Sequence, residues 1–397
     1  MAWGLTKVEE KRKEFIDSYL KKENSFTELC REYQISRKNG YKWVARYEKG
    51  GVEGLKNQSR APITQAGKTN DRLISEILKV KQKYMAWGPK KILAILQKDH
   101  PSEDCPSTTT IGKILDEHGL VIPRKYRNRL PAKTDPLSHC QQPNDVWCID
   151  FKGWFTTKDN VKCDPLTLTD AYSRFILHCC KLEYNNTEFV WQILDQLFYK
   201  HGLPNYMRHD NGPPFATRGA GRLSGLSVKL IKAGVQPEWI EPGKPYQNGR
   251  HERMHLTLQK EGVFPLQLTL KEQHMKFKEF QKYFNDERPH EALGQKCPSS
   301  VYVPSNRVWT GKLNPPDYSQ EYTVKRVRER GQLSWTGKDI FIGKALKDEY
   351  IGLKGDDLGN WLVYFGPVLL GVINQQNEFE MPQVASTRSS KYKAQIF

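Results

Sequence analysis

The chain has 397 residues, 38% of them hydrophobic and 11% aromatic, and a formal net charge of +17. That content supports packed cores and excludes a disordered chain, while the positive excess points to a polyanionic partner. No apolar h-region opens the sequence and no run of 18 apolar residues occurs, which argues against secretion and membrane spanning and for the cytoplasm.

Most of the positive excess falls within residues 1–140. A basic, DNA-binding half joined to a more balanced half is the expected layout. Cys30, Cys105, Cys140, Cys148, Cys163, Cys179, Cys180 and Cys297 include no C-x-x-C pair, so a zinc ribbon is not expected and reduced thiols are.

Residues 1–60 read as a helix-turn-helix domain. Val8, Phe15, Ile16, Tyr19 and Leu20 recur at helical spacing, and Ser25 and Ser36 are placed to cap the next two helices. The last of these sets Arg37, Lys38, Asn39, Lys42 and Arg46 on one face, the residue types that meet phosphates and base edges in a major groove. Residues 61–123 predict a second helical domain of winged type. Arg124, Lys125 and Arg127 belong to a basic, Pro-punctuated linker over 124–143 that is suited to a DNA backbone.

From 144 the pattern becomes mixed α/β. Val146-Trp-Cys-Ile-Asp-Phe151, Pro165–Thr169 and Arg174–Lys181 predict a three-strand meander. A helix over Thr187–His201, a strand over Asn205–His209, and helices over Ser224–Gly234, Gly249–Gly262 and Thr269–Asn285 follow. Residues 304–320 read as a linker, 321–380 as short strands forming a small all-β barrel, and 381–397 as a tail.

Three acids stand out in the region 144–303. Asp150 lies in an otherwise apolar strand, where a charge is costly unless it is paired or binds a metal. Asp210 follows a strand end and opens a Gly/Pro loop, and Glu252 lies on the helix after Asn248-Gly249. Carboxylates converging from separate elements suit Mg²⁺ or Mn²⁺, and two such ions stabilise the attacking and leaving oxygens of a phosphoryl transfer. Glu238, Glu241, Asp164 and Asp170 compete for the third place. His251-Glu-Arg-Met-His255 also spells H-E-x-x-H, which leaves open a zinc metalloprotease using His251, Glu252 and His255. A DNA-binding regulator with an inactive core is a further alternative. Lys244, Asn248, Arg250 and Arg253, close to the acids in sequence, are candidate DNA contacts.

Asp150 in its strand, His209-Asp-Asn-Gly-Pro-Pro-Phe215, and Asn248-Gly-Arg-His-Glu-Arg253 together resemble the Asp-Asp-Glu core of bacterial insertion-sequence transposases, which share an RNase H-like fold with retroviral integrases. Thr169-Asp-Ala-Tyr-Ser-Arg174 and Tyr283-Phe-Asn-Asp-Glu-Arg-Pro-His-Glu-Ala-Leu293 resemble further parts of that core. The resemblance implies a multidomain protein: all-α helix-turn-helix domains, an α/β RNase H-like catalytic core over 144–303, and a C-terminal all-β barrel. It implies a polynucleotidyl transferase with Asp150, Asp210 and Glu252 as catalytic metal ligands for two Mg²⁺ or Mn²⁺ ions. It implies double-stranded DNA, both transposon ends and target, as partner, and a homodimer or larger assembly on that DNA. Two departures accompany it. The interval from Asp210 to Glu252 is enlarged by an apparent insertion at Ala216–Gly225, and no His-His-Cys-Cys zinc domain precedes the core.

Overall fold

The computed structural model describes residues 8–57, 69–121, 137, 139–241 and 244–382, in two compact units divided at Asn70/Asp71. Arg124, Lys125 and Arg127 lie outside the described residues.

The first unit contains α1 (Val8–Lys21), α2 (Phe26–Glu32) and α3 (Arg37–Gly50). Ser25 closes a capping box with Glu28, and the Ser36 hydroxyl accepts from the Asn39 N–H. Each cap satisfies a backbone donor that a helix start otherwise leaves open, and removing one costs about 1 kcal/mol. Phe15, Ile16, Leu29, Cys30, Val44 and Leu55 form the core. The second and third helices cross tightly at Gly40, where a Cβ would sit 2.8 Å from Cys30 Sγ and 2.9 Å from Phe26 Cζ. Arg12 ties the end of the unit to its start: its guanidinium donates to the Leu55 carbonyl (2.7 Å) and Asn57 Oδ1 (2.8 Å) and lies 3.9 Å from the Trp43 ring centroid.

The second unit begins with α4 (Asp71–Lys83), α5 (Pro89–Asp99) and α6 (Thr108–Glu117), packed through Ile77, Trp87, Ile92, Leu96, Ile111 and Leu115. Residues 71–121 contain no strand, so the expected wing is absent from the described residues. This helical subdomain sits on the end of the last core helix, Leu270–Asp286, and on the segment after it. Trp87 Nε1 donates to Tyr283 Oη (2.6 Å), Tyr84 stacks on Tyr283 with centroids 5.5 Å apart, and Lys90 pairs with Glu291.

The core comprises β1 (Val146–Phe151), a hairpin of β2 (Phe155–Thr156) and β3 (Lys162–Cys163), β4 (Pro165–Asp170), β5 (Ile176–Lys181), α7 (Thr187–His201), β6 (Tyr206–His209), α8 (Gly225–Lys232), β7 (Gln236–Trp239), α9 (Gly249–Thr257) and α10 (Leu270–Asp286). A π-helical turn, Leu258–Val263, extends α9. The sheet order is β5-β4-β1-β6-β7. β5, β4 and β1 pair antiparallel, with the β2–β3 hairpin between β1 and β4, whereas β1, β6 and β7 run parallel. Parallel neighbours need a crossover, and α7 and α8 supply it.

Alternation along β1 divides the sheet into faces. Trp147 and Ile149, with Leu166 and Leu168 of β4, pack on Val190, Leu194 and Phe198 of α7 and on Leu226 and Leu230 of α8. The opposite face carries Asp150, Thr167 and Thr169 and receives α9. Beside it, Ile176 and Cys179 pack against Met254, Leu258, Phe277 and Phe280.

Residues 304–320 have no helix or strand but are held on the core. Leu203 N–H donates to the Arg307 carbonyl (2.8 Å), and Trp309, 5% exposed, donates its indole N–H to Asp195 Oδ1 (2.7 Å). The C-terminal strands are β8 (Thr323–Arg326), β9 (Gln332–Trp335), β10 (Lys338–Phe341), β11 (Tyr350–Gly355), β12 (Trp361–Phe365), β13 (Val368–Ile373) and β14 (Phe379–Glu380). They do not form the expected closed barrel. One open antiparallel sheet has the order β14-β13-β12-β11-β8, and β9 and β10 form a separate pair. The terminal strand β14 spans only Phe379–Glu380, and β8 is exposed along its length, so no ladder joins the two edges. Its core is completed from the apparent insertion: Ala220 and Leu223, with Val228 of α8, pack among Leu333, Ile351, Val363, Phe365 and Leu370.

No described helix is long and apolar enough to cross a membrane. All eight cysteines are free thiols.

Candidate active site

The register of the parallel pair places two of the acids side by side. Val146, Trp147 and Cys148 of β1 lie opposite Tyr206, Met207 and Arg208 of β6. Two residues further on, where the strands end, come Asp150 and Asp210. Adjacent strands lie about 4.8 Å apart, close enough for both carboxylates to meet one ligand. Glu252 approaches from α9 on the face that carries Asp150. Burial, then the Asp210 charge, with smaller contributions from Glu252 and Asp164, raises the Asp150 carboxyl to about 7 against an opposing hydrogen bond from the Phe151 backbone. The three acids therefore share one electrostatic site.

No ion pair neutralises that site. Asp210 Oδ1 accepts only the local Gly212 N–H (3.1 Å), and none of Asp150, Asp210 and Glu252 forms a salt bridge among the described residues. The competing acids are differently placed. Glu238 forms a two-pronged pair with Arg208 (2.9 and 2.6 Å), and Glu241 is held by Lys244 and by Gln247 (2.8 Å). Asp170, fully buried, accepts from Asn144 N–H (2.7 Å) and from Ser173 N–H (2.7 Å) and Oγ (2.5 Å), which fixes the β4–β5 turn. Asp164 Oδ2 accepts from Asn185 (3.0 Å).

The loop after Asp210 is pinned from both sides. Asn211 Nδ2 donates to the Ile240 carbonyl (2.7 Å), and its Oδ1 accepts from Arg222 (3.1 Å). His209 packs rather than reaching into the site: it is 1% exposed, stacked on Phe215 and edge-on to Trp239, with Nδ1 on the Asp210 carbonyl (2.8 Å).

The histidines of the H-E-x-x-H segment turn inward, while Glu252 between them is exposed. The Thr167 hydroxyl donates to the Asp150 carbonyl (2.9 Å), so it accepts from His251 Nε2 (2.8 Å) and His255 Nε2 (2.7 Å). His251 Nδ1 is then left to accept from the Thr169 hydroxyl (2.7 Å). Burial, then the neighbouring His255, depresses His251 well below its usual value; burial, then nearby Lys152, lowers His255 to about 3. Both rings are neutral. One ligand atom each from Asp150, His251 and His255 lies within 4.8 Å of the others, a set that does not include Glu252. With their Nε2 protons committed to Thr167, the imidazoles clamp α9 onto β4.

The Thr167–Thr169 clamp was not anticipated from sequence. Its signal is the pair of hydroxyls at alternate positions of an apolar strand, facing histidines one helical turn apart.

Among the candidate DNA contacts, Arg37, Lys38, Asn39 and Lys42 are exposed along α3. Arg46 is half-buried and donates to the Lys56 carbonyl (3.2 Å). Arg253 is exposed, Lys244 pairs with Glu241, and Arg250 donates to the Ala171 carbonyl (3.2 Å). Asn248 departs from expectation. It is 5% exposed because the turn into α9 folds it under the helix, so it offers no free surface.

Sequence profiles described as "Integrase core domain" match residues 141–245 and 233–298, which together contain all three acids. Residues 141–298 of the chain are thus similar to integrase core domains. The region ahead of this integrase core matches "Helix-turn-helix domain" over residues 11–63 and "Homeodomain-like domain" over 39–115. Two relatives come from insertion elements. An insertion element IS476 protein of 39.2 kDa from Xanthomonas euvesicatoria is 24% identical over 60% of this chain and 65% of its own length. An insertion element IS407 protein of 31.7 kDa from Burkholderia multivorans is 24% identical over 58% of this chain and 80% of its own length. The chain thus spans less than two thirds of the first of these relatives.

Similar solved structures include the HTLV-2 integrase catalytic core domain in complex with magnesium, at 14% identity, TM-score 0.32, covering 41% of this chain and 97% of that one. A simian T-cell lymphotropic virus intasome in complex with a PP2A regulatory subunit gives 14% identity and TM-score 0.35, covering 74% and 97%. Scores this low add no weight, and the assignment rests on the profile matches and the insertion-element relatives.

Proposed function

We propose that this chain is a DNA transposase that binds the terminal inverted repeats of an insertion sequence, cleaves the ends to leave 3′-hydroxyls and joins them to target DNA. One observation carries the reading: Asp150 and Asp210 stand side by side at the ends of parallel strands, the Glu252 charge acts on Asp150, and none of the three forms a salt bridge among the described residues.

The residues fit a pair of divalent cations. The donors are hard carboxylate oxygens, and burial, then the Asp210 charge, raises the Asp150 carboxyl. Asp150 would contact both ions, with Asp210 and Glu252 each completing one. Two Mg²⁺ or Mn²⁺ ions would polarise the scissile phosphate and favour ionisation of the attacking water or 3′-hydroxyl. The protein's own part is positional. Asn211 and Arg222 hold the Asp210 loop, the His–Thr clamp sets the height of Glu252, and exposed Arg253 is available to a phosphate. The exposed basic face of α3 would dock on the ends. Assembly as a dimer or larger complex on DNA, in the bacterial cytoplasm, completes the proposal.

The test is strand cleavage of labelled candidate ends in Mg²⁺ by the wild type, Asp150→Asn and Glu252→Gln. Cleavage lost in both variants with end binding retained is the expected result. Binding without cleavage by the wild type would favour an inactive regulator, and peptide hydrolysis dependent on zinc would favour the protease.

A further inference from the structure

The turn that leaves β1 after Asp150 carries Trp154, which is 65% exposed. Every other described tryptophan is buried or half-buried. A single exposed aromatic is ordinary on a protein surface, so its setting decides what it means.

That setting is fixed. Gly153 turns the chain at φ +88°, and the Lys152 N–H is bonded to the Pro165 carbonyl (3.0 Å). The hairpin of β2 and β3 beyond it is fastened to the loop before α10: the Lys158 N–H donates to the Gln267 carbonyl (3.0 Å) and the Asp159 N–H to the Leu268 carbonyl (3.1 Å). Phe155 packs edge-on to Phe277 at 6.3 Å between centroids. The indole is therefore presented on a braced support.

Its surroundings are cationic. Lys162 Nζ lies 4.9 Å from the Trp154 ring centroid, and Lys152 and Lys158 are on the same short segment. None of the three lysines forms a salt bridge with a described residue. The segment also borders the acid site: it leaves β1 just after Asp150 and returns into β4, whose Thr167 pairs with Asp150.

We propose that Trp154 is a stacking platform for an unpaired base of the DNA strand entering the acid site, with Lys152, Lys158 and Lys162 holding the flanking phosphates. This rests on the reading that the chain acts on DNA. An exposed indole beside lysines that form no salt bridge among the described residues suits a nucleic acid strand, because every base offers a π-face and every linkage a negative charge. Stacking also requires no particular sequence, so the platform would serve transposon end and target alike. A protein partner would instead bury the indole and need acidic groups opposite the lysines.

The experiment compares the full-length wild type, Trp154→Ala and Trp154→Phe on two DNA probes of equal length. One is a blunt duplex, and the other is a forked duplex with 2-aminopurine in its unpaired arms. Binding is read by anisotropy and stacking by quenching of 2-aminopurine fluorescence. Trp154→Ala is expected to weaken fork binding about 10-fold, with blunt binding changed less than about twofold and the quenching lost. Trp154→Phe is expected to keep most of both. Equal fork binding and quenching in wild type and Trp154→Ala would overturn the proposal, as would an equal loss on both probes. A change in oligomeric state with DNA binding intact would assign Trp154 to a protein contact and overturn it too. Wild type that binds neither probe would instead refute the DNA reading itself.

Discussion

Thr167 faces Asp150 across the β1–β4 pair and donates its hydroxyl to the Asp150 carbonyl, while the same oxygen receives the Nε2 atoms of His251 and His255. One hydroxyl thus joins the strand that carries the first acid to the helix that carries the third.

Thr167→Val keeps the side-chain volume but leaves two buried imidazole N–H groups without an acceptor. A loss of about 2–3 kcal/mol is expected in urea unfolding. Glu252 should lose its placement as well, so that any cleavage activity falls more than substrate binding does. Unchanged stability would show that the rings find other partners.

Asp150 sets a pH dependence in the metal-free chain. Its carboxyl is raised from 3.8 to about 7 on folding, so the fold binds this proton more tightly than the unfolded chain does. That contribution is fully present below about pH 4 and is lost as the pH rises through about 7. Urea midpoints in a chelator should therefore fall across this window more steeply for wild type than for Asp150→Asn. Mg²⁺ should recover stability at the upper end for wild type alone. Parallel pH profiles for the two proteins would contradict the burial and crowding of Asp150.

Gly221 has φ +58°, and a Cβ there would lie 2.9 Å from Leu370 Cδ2 and 3.0 Å from Val368 Cγ1. Gly221→Ala combines a strained backbone with overpacking, at an expected cost of about 1–3 kcal/mol. Thermal unfolding measures it, and a neutral result would mean that the β13 contact yields easily.

Arg37 and Lys42 are exposed on α3. Changing both to alanine should weaken binding to candidate ends and flatten the plot of log affinity against log salt by roughly one to two units. An unaltered slope in a titration from low to physiological salt would remove α3 from the DNA interface.

Local chemistry made most of the elements readable. Ser25 and Ser36 cap the helices they are expected to cap, and the alternation in Val146–Phe151 places Asp150 on its strand. What sequence could not supply was tertiary. The β2–β3 hairpin has strands too short to show a period. Whether the C-terminal strands close depends on their edges, and no pattern within a strand encodes that. H-E-x-x-H states that two histidines share a helix face but not what that face meets, and here it meets threonines. Asn248 looked like surface because its neighbours are polar, yet the turn buries it.

The apparent insertion between Asp210 and Glu252 has a mechanical consequence. Arg222 within it pins the Asp210 loop through Asn211, and its apolar Ala220 and Leu223 floor the C-terminal sheet. Cutting the chain after residue 303 to isolate a catalytic fragment would strip the cover from Ala220, Leu223 and Val228 and slacken the support of the second acid. The sheet is in effect a cantilever bolted to the active-site loop, and a load placed on it is felt at Asp210.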